Sequence, residues 1–229
     1  MIRHSWDISP KEAIALQSAL ARQVRLEPLT RPVRTIAGVD CAFPGAGRFS
    51  GRWGKGRIIA AAVLLDAETM EVIAAAHDER PCAFPYVPGL LSFREAPAVI
   101  AAVGKLPERP DVVMCDGQGL AHPRRLGLAC HVGLWLDLPT IGVAKSRLCG
   151  SHRIPARRRG CRTQLRHGGE VVGAVLRTRT DVKCVYVSAG HRVALADCIR
   201  WTLRCARGVR LPEPTRRAHQ YVTKLRSRR

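Results

Sequence analysis

Thr35-Ile36-Ala37-Gly38-Val39-Asp40-Cys41-Ala42-Phe43 is an apolar run with one charge inside it. Its composition and length predict a buried strand. An ionised carboxylate in such a strand must be paired or must hold a cation, because burying a lone charge is too costly. Taken alone, Asp40 reads as a strand-end acid paired with an arginine. A second acid changes that reading. Asp116 closes the short apolar strand Asp111–Cys115 and opens Gly117-Gln118-Gly119-Leu120-Ala121-His122-Pro123-Arg124-Arg125. Glycines let backbone approach a ligand closely. The C-terminal edge of a sheet strand is where α/β proteins usually place ligands. Two carboxylates meeting there would hold a hard cation such as Mg²⁺ through oxygen.

The rest of the chain supplies the layers. Ser9-Pro10-Lys11-Glu12 reads as a capping box, and Ala13, Leu16, Leu20 and Val24 follow at helical spacing. Pro44 to Gly56 is glycine-rich and reads as a loop. Arg57–Leu65 and Glu71–His77 read as a hairpin. Helices are expected at Ser92–Val103, Arg125–Leu136, Ala194–Arg207 and Pro214–Lys224. Further strands are expected at Thr140–Ala144, Glu170–Leu176 and Cys184–Val187. Residues 147–168 read as basic and irregular. Three leading strands, then alternating helices and strands, indicate an α/β sheet covered by helices. One acid inside the first strand and another at the end of the fourth suggest a ribonuclease H-like mixed sheet flanked by helices. The whole chain, residues 1–229, is expected to form one domain.

The chain is 229 residues long, 46% hydrophobic, and carries a net charge of +20. The charge is uneven. Residues 1–144 hold 16 Lys/Arg against 14 Asp/Glu, whereas residues 145–229 hold 22 against 4. So basic a half is the footprint of a polyanion binder, and the excess of arginine suits phosphate. The nine cysteines have no Cys-x-x-Cys spacing, which argues against a zinc or disulfide framework and for a reducing compartment. The N-terminus lacks an apolar signal region, and the longest apolar run, Ile58 to Leu65, is too short to span a bilayer. A soluble, cytoplasmic, monomeric protein is the expectation.

Pro85-Tyr86-Val87-Pro88-Gly89 pins an aromatic ring on a stiff turn, where it could stack on a nucleobase. Ser92-Phe93-Arg94-Glu95 fits a capping box, so by pattern alone Glu95 is a helix cap. His219 and His191 each read as ordinary surface, turn or core histidines. Lys145, after the strand Thr140–Ala144, is either a solvated strand end or a point charge for a phosphate. His122 is either a loop hydrogen-bonder or a phosphate contact.

Six blocks change the weighting when taken in order: GVDCAF, PYVPGLLSFRE, VMCDGQGLAHPRRLGLACHVG, IGVAKSRLCG, VSAGHRV and RLPEPTRRAH. Together they strongly resemble the endonuclease V family, nucleases that act on deaminated bases, over about residues 12 to 224. The resemblance implies an Mg²⁺- or Mn²⁺-dependent DNA repair enzyme cutting near deoxyinosine, at the second phosphodiester bond on its 3′ side. By motif, Asp40, Glu95, Asp116 and His219 match the family's metal-and-catalysis set, with Asp40 and Asp116 on the metal. Lys145 matches a catalytic lysine, and Tyr86, beside Pro85, the tyrosine of a strand-separating wedge. The flipped base would meet backbone near Gly117, Gly119 and Leu120, with His122 close by. Ala189 stands where proline is more often expected. The segment Arg153–Arg166 matches no motif. An inosine-specific endoribonuclease, or a non-catalytic nucleic-acid binding protein on the same fold, are the alternatives.

Overall fold

The computed structural model describes residues 2–44 and 56–227; the glycine-rich loop after Pro44 lies outside them. Eight strands form one sheet in the order β3-β2-β1-β4-β5-β8-β7-β6. The first three are β1 (Thr35–Ala42), β2 (Gly56–Asp66) and β3 (Val72–Cys82), antiparallel neighbours. β4 (Val112–Cys115) lies parallel to β1, and β5 (Thr140–Ala144) parallel to β4. β6 (Arg162–His167), β7 (Glu170–Leu176) and β8 (Val185–Ala189) extend the sheet antiparallel beyond β5.

Helices α2 (Leu91–Gly104) and α3 (Leu128–Leu136) belong to one face, and α4 (Leu195–Cys205) and α5 (Glu213–Ser227) to the other. With both faces covered, a central strand has no wet side, so its sequence does not alternate. β2 demonstrates this. Ile58, Ala60, Ala62 and Leu64 pack in the core that holds Val99 of α2, and Ile59 and Ala61 pack with Val222 of α5.

Helix α1 (Pro10–Ala21) carries the expected capping box: Glu12 N donates to Ser9 Oγ at 3.3 Å, and Ser9 N donates to Glu12 Oε2 at 2.7 Å. Three expectations fail. The second helix starts at Leu91, with Leu90 as its N-cap and no side-chain cap bond. Ser92 is therefore inside the helix, and its hydroxyl lies 3.1 Å from His131 Nδ1. The stretch read as irregular contains β6, whose one buried residue, Leu165, sits among exposed and half-buried polar ones. The third helix is also shorter than expected, because Arg125 adopts φ +59° and the helix begins at Leu128.

The N-terminal segment is fastened to α3 by a histidine pair, His131 buried and His4 half-buried. His4 Nδ1 donates to the Ser5 carbonyl at 2.8 Å, and His4 Nε2 lies 2.8 Å from His131 Nε2. His131 Nδ1 bonds the Ser92 hydroxyl, and the buried His131 ring is neutral. Burial, and the neighbouring His4, push the His131 pKa down to about 3. An unfolded histidine titrates near 6.5. The unfolded chain therefore binds the proton first, and this stability is full above about pH 6.5 and is lost as pH falls toward 3. Thermal melts between pH 7.5 and 4.5 should show Tm falling with acid, and His131→Phe should flatten that fall. An equal slope in both proteins would exclude His131 as its source.

Candidate active site

Parallel pairing brings the two acids level. Val39 lies opposite Cys115, and the Asp116 N–H donates to the Val39 carbonyl at 3.2 Å. Asp40 and Asp116 thus leave the same end of adjacent strands. Two residues before Asp40, on the same side of the strand, stands Gly38. A Cβ there would sit 1.9 Å from the Pro214 carbonyl oxygen, so only glycine lets the start of α5 lie on β1. That approach carries His219 over Asp40, with Nδ1 2.7 Å from Oδ2. One ligand atom from each of Asp40, Asp116 and His219 lies within 4.8 Å of the others. Lys145, just past β5, donates from Nζ to Asp116 Oδ2.

The electrostatics follow from this crowding. Burial raises the Asp40 pKa first, and the charge on Asp116 raises it further. His219 and the Cys41 N–H, which donates to Asp40 Oδ1 at 2.9 Å, oppose the rise. Two carboxylates held this close repel, and a divalent cation relieves that repulsion. Mostly oxygen with one imidazole nitrogen suits Mg²⁺ or Mn²⁺.

Glu95 reaches the same strand ends from the other face. It sits in the first turns of α2, and its charge helps to raise the thiol pKa values of Cys41 and Cys115, the neighbours of Asp40 and Asp116. Since Ser92 is not the N-cap, the capping role is excluded.

A cavity of about 170 Å³ opens beside this cluster, lined in part by Tyr86, Pro88, Gly89, Gln118, His122 and Leu148. The turn forming its rim is pinned at one atom. The Gly89 carbonyl accepts from Gln17 Nε2 at 3.1 Å, His122 Nε2 at 3.0 Å and Arg124 at 2.9 Å. Gly89 has φ +80°, a conformation that glycine adopts without strain. His122 Nδ1 accepts from the Arg124 N–H at 3.1 Å, so both ring nitrogens serve the turn. Burial, then Arg124, lower the His122 pKa to about 4 and keep the ring neutral. His122 therefore lines the cavity as a positioning residue, with no nitrogen spare for phosphate. Tyr86 is 38% exposed at the rim.

The expected backbone floor is only partly there. Gly117, Gly119 and Leu120 do not line the cavity, nor does Pro85. The Gly119 N–H donates to Ser188 Oγ and the Leu120 N–H to the Ala189 carbonyl, each at 2.8 Å. Gln118 occupies the position instead, and sequence reasoning passed over it. Its Nε2 donates to the Ser146 carbonyl at 2.9 Å, while its buried Oε1 has no partner among the described residues.

The family model for Endonuclease V matches residues 18–220. This chain belongs to the endonuclease V family. The Endonuclease V of Gloeobacter violaceus is 48% identical over 99% of the chain and 90% of its own length. The Endonuclease V structure from Streptomyces avermitilis superposes with a TM-score of 0.89 at 41% identity, covering 99% of this chain and 97% of that one. The fold also matches a Ciona intestinalis Endonuclease V, at 22% identity and TM-score 0.79, over 96% of this chain and 99% of that one. That protein was crystallised with a 23mer DNA containing an inosine followed by a ribo-adenosine. The sheet is thus the ribonuclease H-like one, and the reaction of this family member is phosphodiester hydrolysis. Among the described residues, no helix is long and apolar enough to cross a membrane.

Two further groups are accounted for by contacts within the protein. His191 is a turn residue: its Nδ1 accepts from the Arg25 N–H at 3.2 Å. The Arg157–Arg159 cluster is partly spent inside the protein. Arg157 pairs with Asp181, and Arg159 donates to the Leu203 carbonyl at 2.7 Å.

Proposed function

We propose that the chain is a divalent-metal-dependent DNA repair endonuclease for deoxyinosine, hydrolysing the second phosphodiester bond on the 3′ side of the lesion. The observation that carries this reading is the Asp40–Asp116–His219 cluster, with Lys145, beside a cavity rimmed by Tyr86. The inosine in the DNA bound by the Ciona protein supports the choice of base. The whole chain acts as one domain, as a monomer in the cytoplasm. Asp40 and Asp116 would hold the cation, which when bound supplies charge to the phosphoryl oxygen and the leaving 3′-oxygen. Lys145 holds the scissile phosphate. Glu95 and His219 orient the attacking water and take its proton. The products carry 3′-hydroxyl and 5′-phosphate ends.

The small cavity takes one flipped base, and guanine is rejected because its exocyclic amine needs room and a partner. The test is incubation with matched DNA and RNA strands, each with one inosine, in Mg²⁺ and in EDTA. Cutting of the inosine DNA in Mg²⁺ alone is expected. Cutting in EDTA, or equal cutting of inosine-free DNA, would refute the reading. Preference for the RNA strand would make the enzyme a ribonuclease.

Tyr86 fills the gap left by the flipped base. Its ring replaces lost stacking, worth about 1–3 kcal/mol per base. Tyr86→Ala should weaken cleavage of duplex substrate more than of single strands, and Tyr86→Phe should behave like wild type. Equal losses on both substrates, tracking Tm, would leave the tyrosine a packing residue of the turn.

A further inference from the structure

Two cavities, of about 440 and 500 Å³, share His152 as a lining residue and so form one trough. Lys145, Arg147 and Lys183 line the first, and Arg153 and Arg166 the second. No Asp or Glu lines either cavity. The second cavity draws mostly on the segment that matched no motif, which now includes most of strand β6.

Four of the cations lining it are engaged within the protein: Lys145 pairs with Asp116, Arg166 donates to Gln164 and the Gly169 carbonyl, and Arg177 and Arg210 donate to backbone carbonyls. Among the described residues, the side chains of Arg147, Arg153 and Lys183 make no hydrogen bond or ion pair, and all three are exposed. Cations concentrated without acids repel one another, a cost that a polyanion removes. The trough also offers flat and apolar surface. Tyr186 meets His152 edge to face at 5.6 Å, and Ile154 is 83% exposed on the wall. Unpaired bases stack on such surface while cations follow the backbone.

Position fixes the direction. The base cavity and the first part of the trough share no lining residue. The base cavity approaches the acid cluster through Gln118, two residues past Asp116. The trough approaches it through Lys145, which pairs with Asp116. With the proposed cut 3′ of the inosine, a strand whose base fills the cavity and whose scissile phosphate lies at the acids would continue past Lys145 into the trough.

We propose that the trough binds the sugar–phosphate backbone of the cut strand on the 3′ side of the scissile bond, as a single strand. This rests on the proposed cut 3′ of the inosine. The test uses the triple variant Arg147→Gln, Arg153→Gln, Lys183→Gln, all exposed positions outside the cutting centre, with its melting temperature checked. Inosine-containing single strands keep one 5′ flank while the 3′ flank grows from about two to about twelve nucleotides, a span on the scale of known single-strand sites. For wild type, KM should fall as the 3′ flank grows. The variant should lose about tenfold or more of that gain, with kcat on the shortest strand unchanged. Binding of an inosine-free single strand, read by anisotropy in EDTA, should lose about 0.7 of salt slope per phosphate contact removed.

The binding arm needs no cleavage. If the wild type cuts no inosine strand, the proposed function fails, and an unchanged salt slope then also overturns the trough. A variant defect that tracks the 5′ flank instead, or that is equal on short and long strands, overturns the assignment as well.

Discussion

Asp40→Ala and Asp116→Ala should each cut inosine-containing DNA at about a hundredth of the wild-type rate or less, the usual scale for removing one preorganised electrostatic group from a transition state. Binding to the same DNA in EDTA should hold or tighten. Each variant removes a negative charge from the site and leaves the phosphate-binding cations in place. The folds should survive, because neither carboxylate is part of the hydrophobic clusters that pack the two faces of the sheet. The two losses should not add. Residues that act as one unit fail together, so the double variant should be about as poor as either single one. Either single variant retaining more than about a tenth of wild-type activity, within ~1.4 kcal/mol of the native barrier, would show that the carboxylate does not hold the cation.

Glu95→Gln is the second large effect. Loss of a general base or water-positioning carboxylate costs about 10²- to 10⁴-fold, and a fall of at least the lower figure is expected. The melting temperature should barely move. Had Glu95 closed a capping box, its loss would cost about 0.5–2 kcal/mol of stability and spare the chemistry. The helix instead begins at Leu91 without a side-chain cap, so that route to destabilisation is closed. A variant that melts early yet cuts normally would contradict the catalytic assignment. Steady-state rates and thermal melts on one preparation separate the two outcomes.

What the sequence made legible was local or strongly patterned. β1 and β4 are apolar runs each meeting one acid, and the sequence places Asp40 and Asp116 with the correct strands. The helix bearing His219 was equally visible. Pairing decided the rest. Ser92 fits a capping pattern, but its hydroxyl serves His131, 39 residues away. β6 reads as irregular because five of its six residues are not buried; it is a charged edge strand defined by pairing with β7. The amides of Gly119 and Leu120 looked available to a ligand until β8 claimed them. Nothing in the sequence distinguishes Arg157, held by Asp181, from Arg147, which lines the trough.

The seating of Pro214 against Gly38 also sets a timetable. Asp40 and His219 are 179 residues apart, and chains emerge from the ribosome N-terminus first. Asp40, Glu95 and Asp116 are all synthesised while the partner that closes over them does not yet exist. On the proposed role of His219, the nascent chain is an unarmed nuclease. It gains the power to nick only when α5 docks and carries His219 over Asp40.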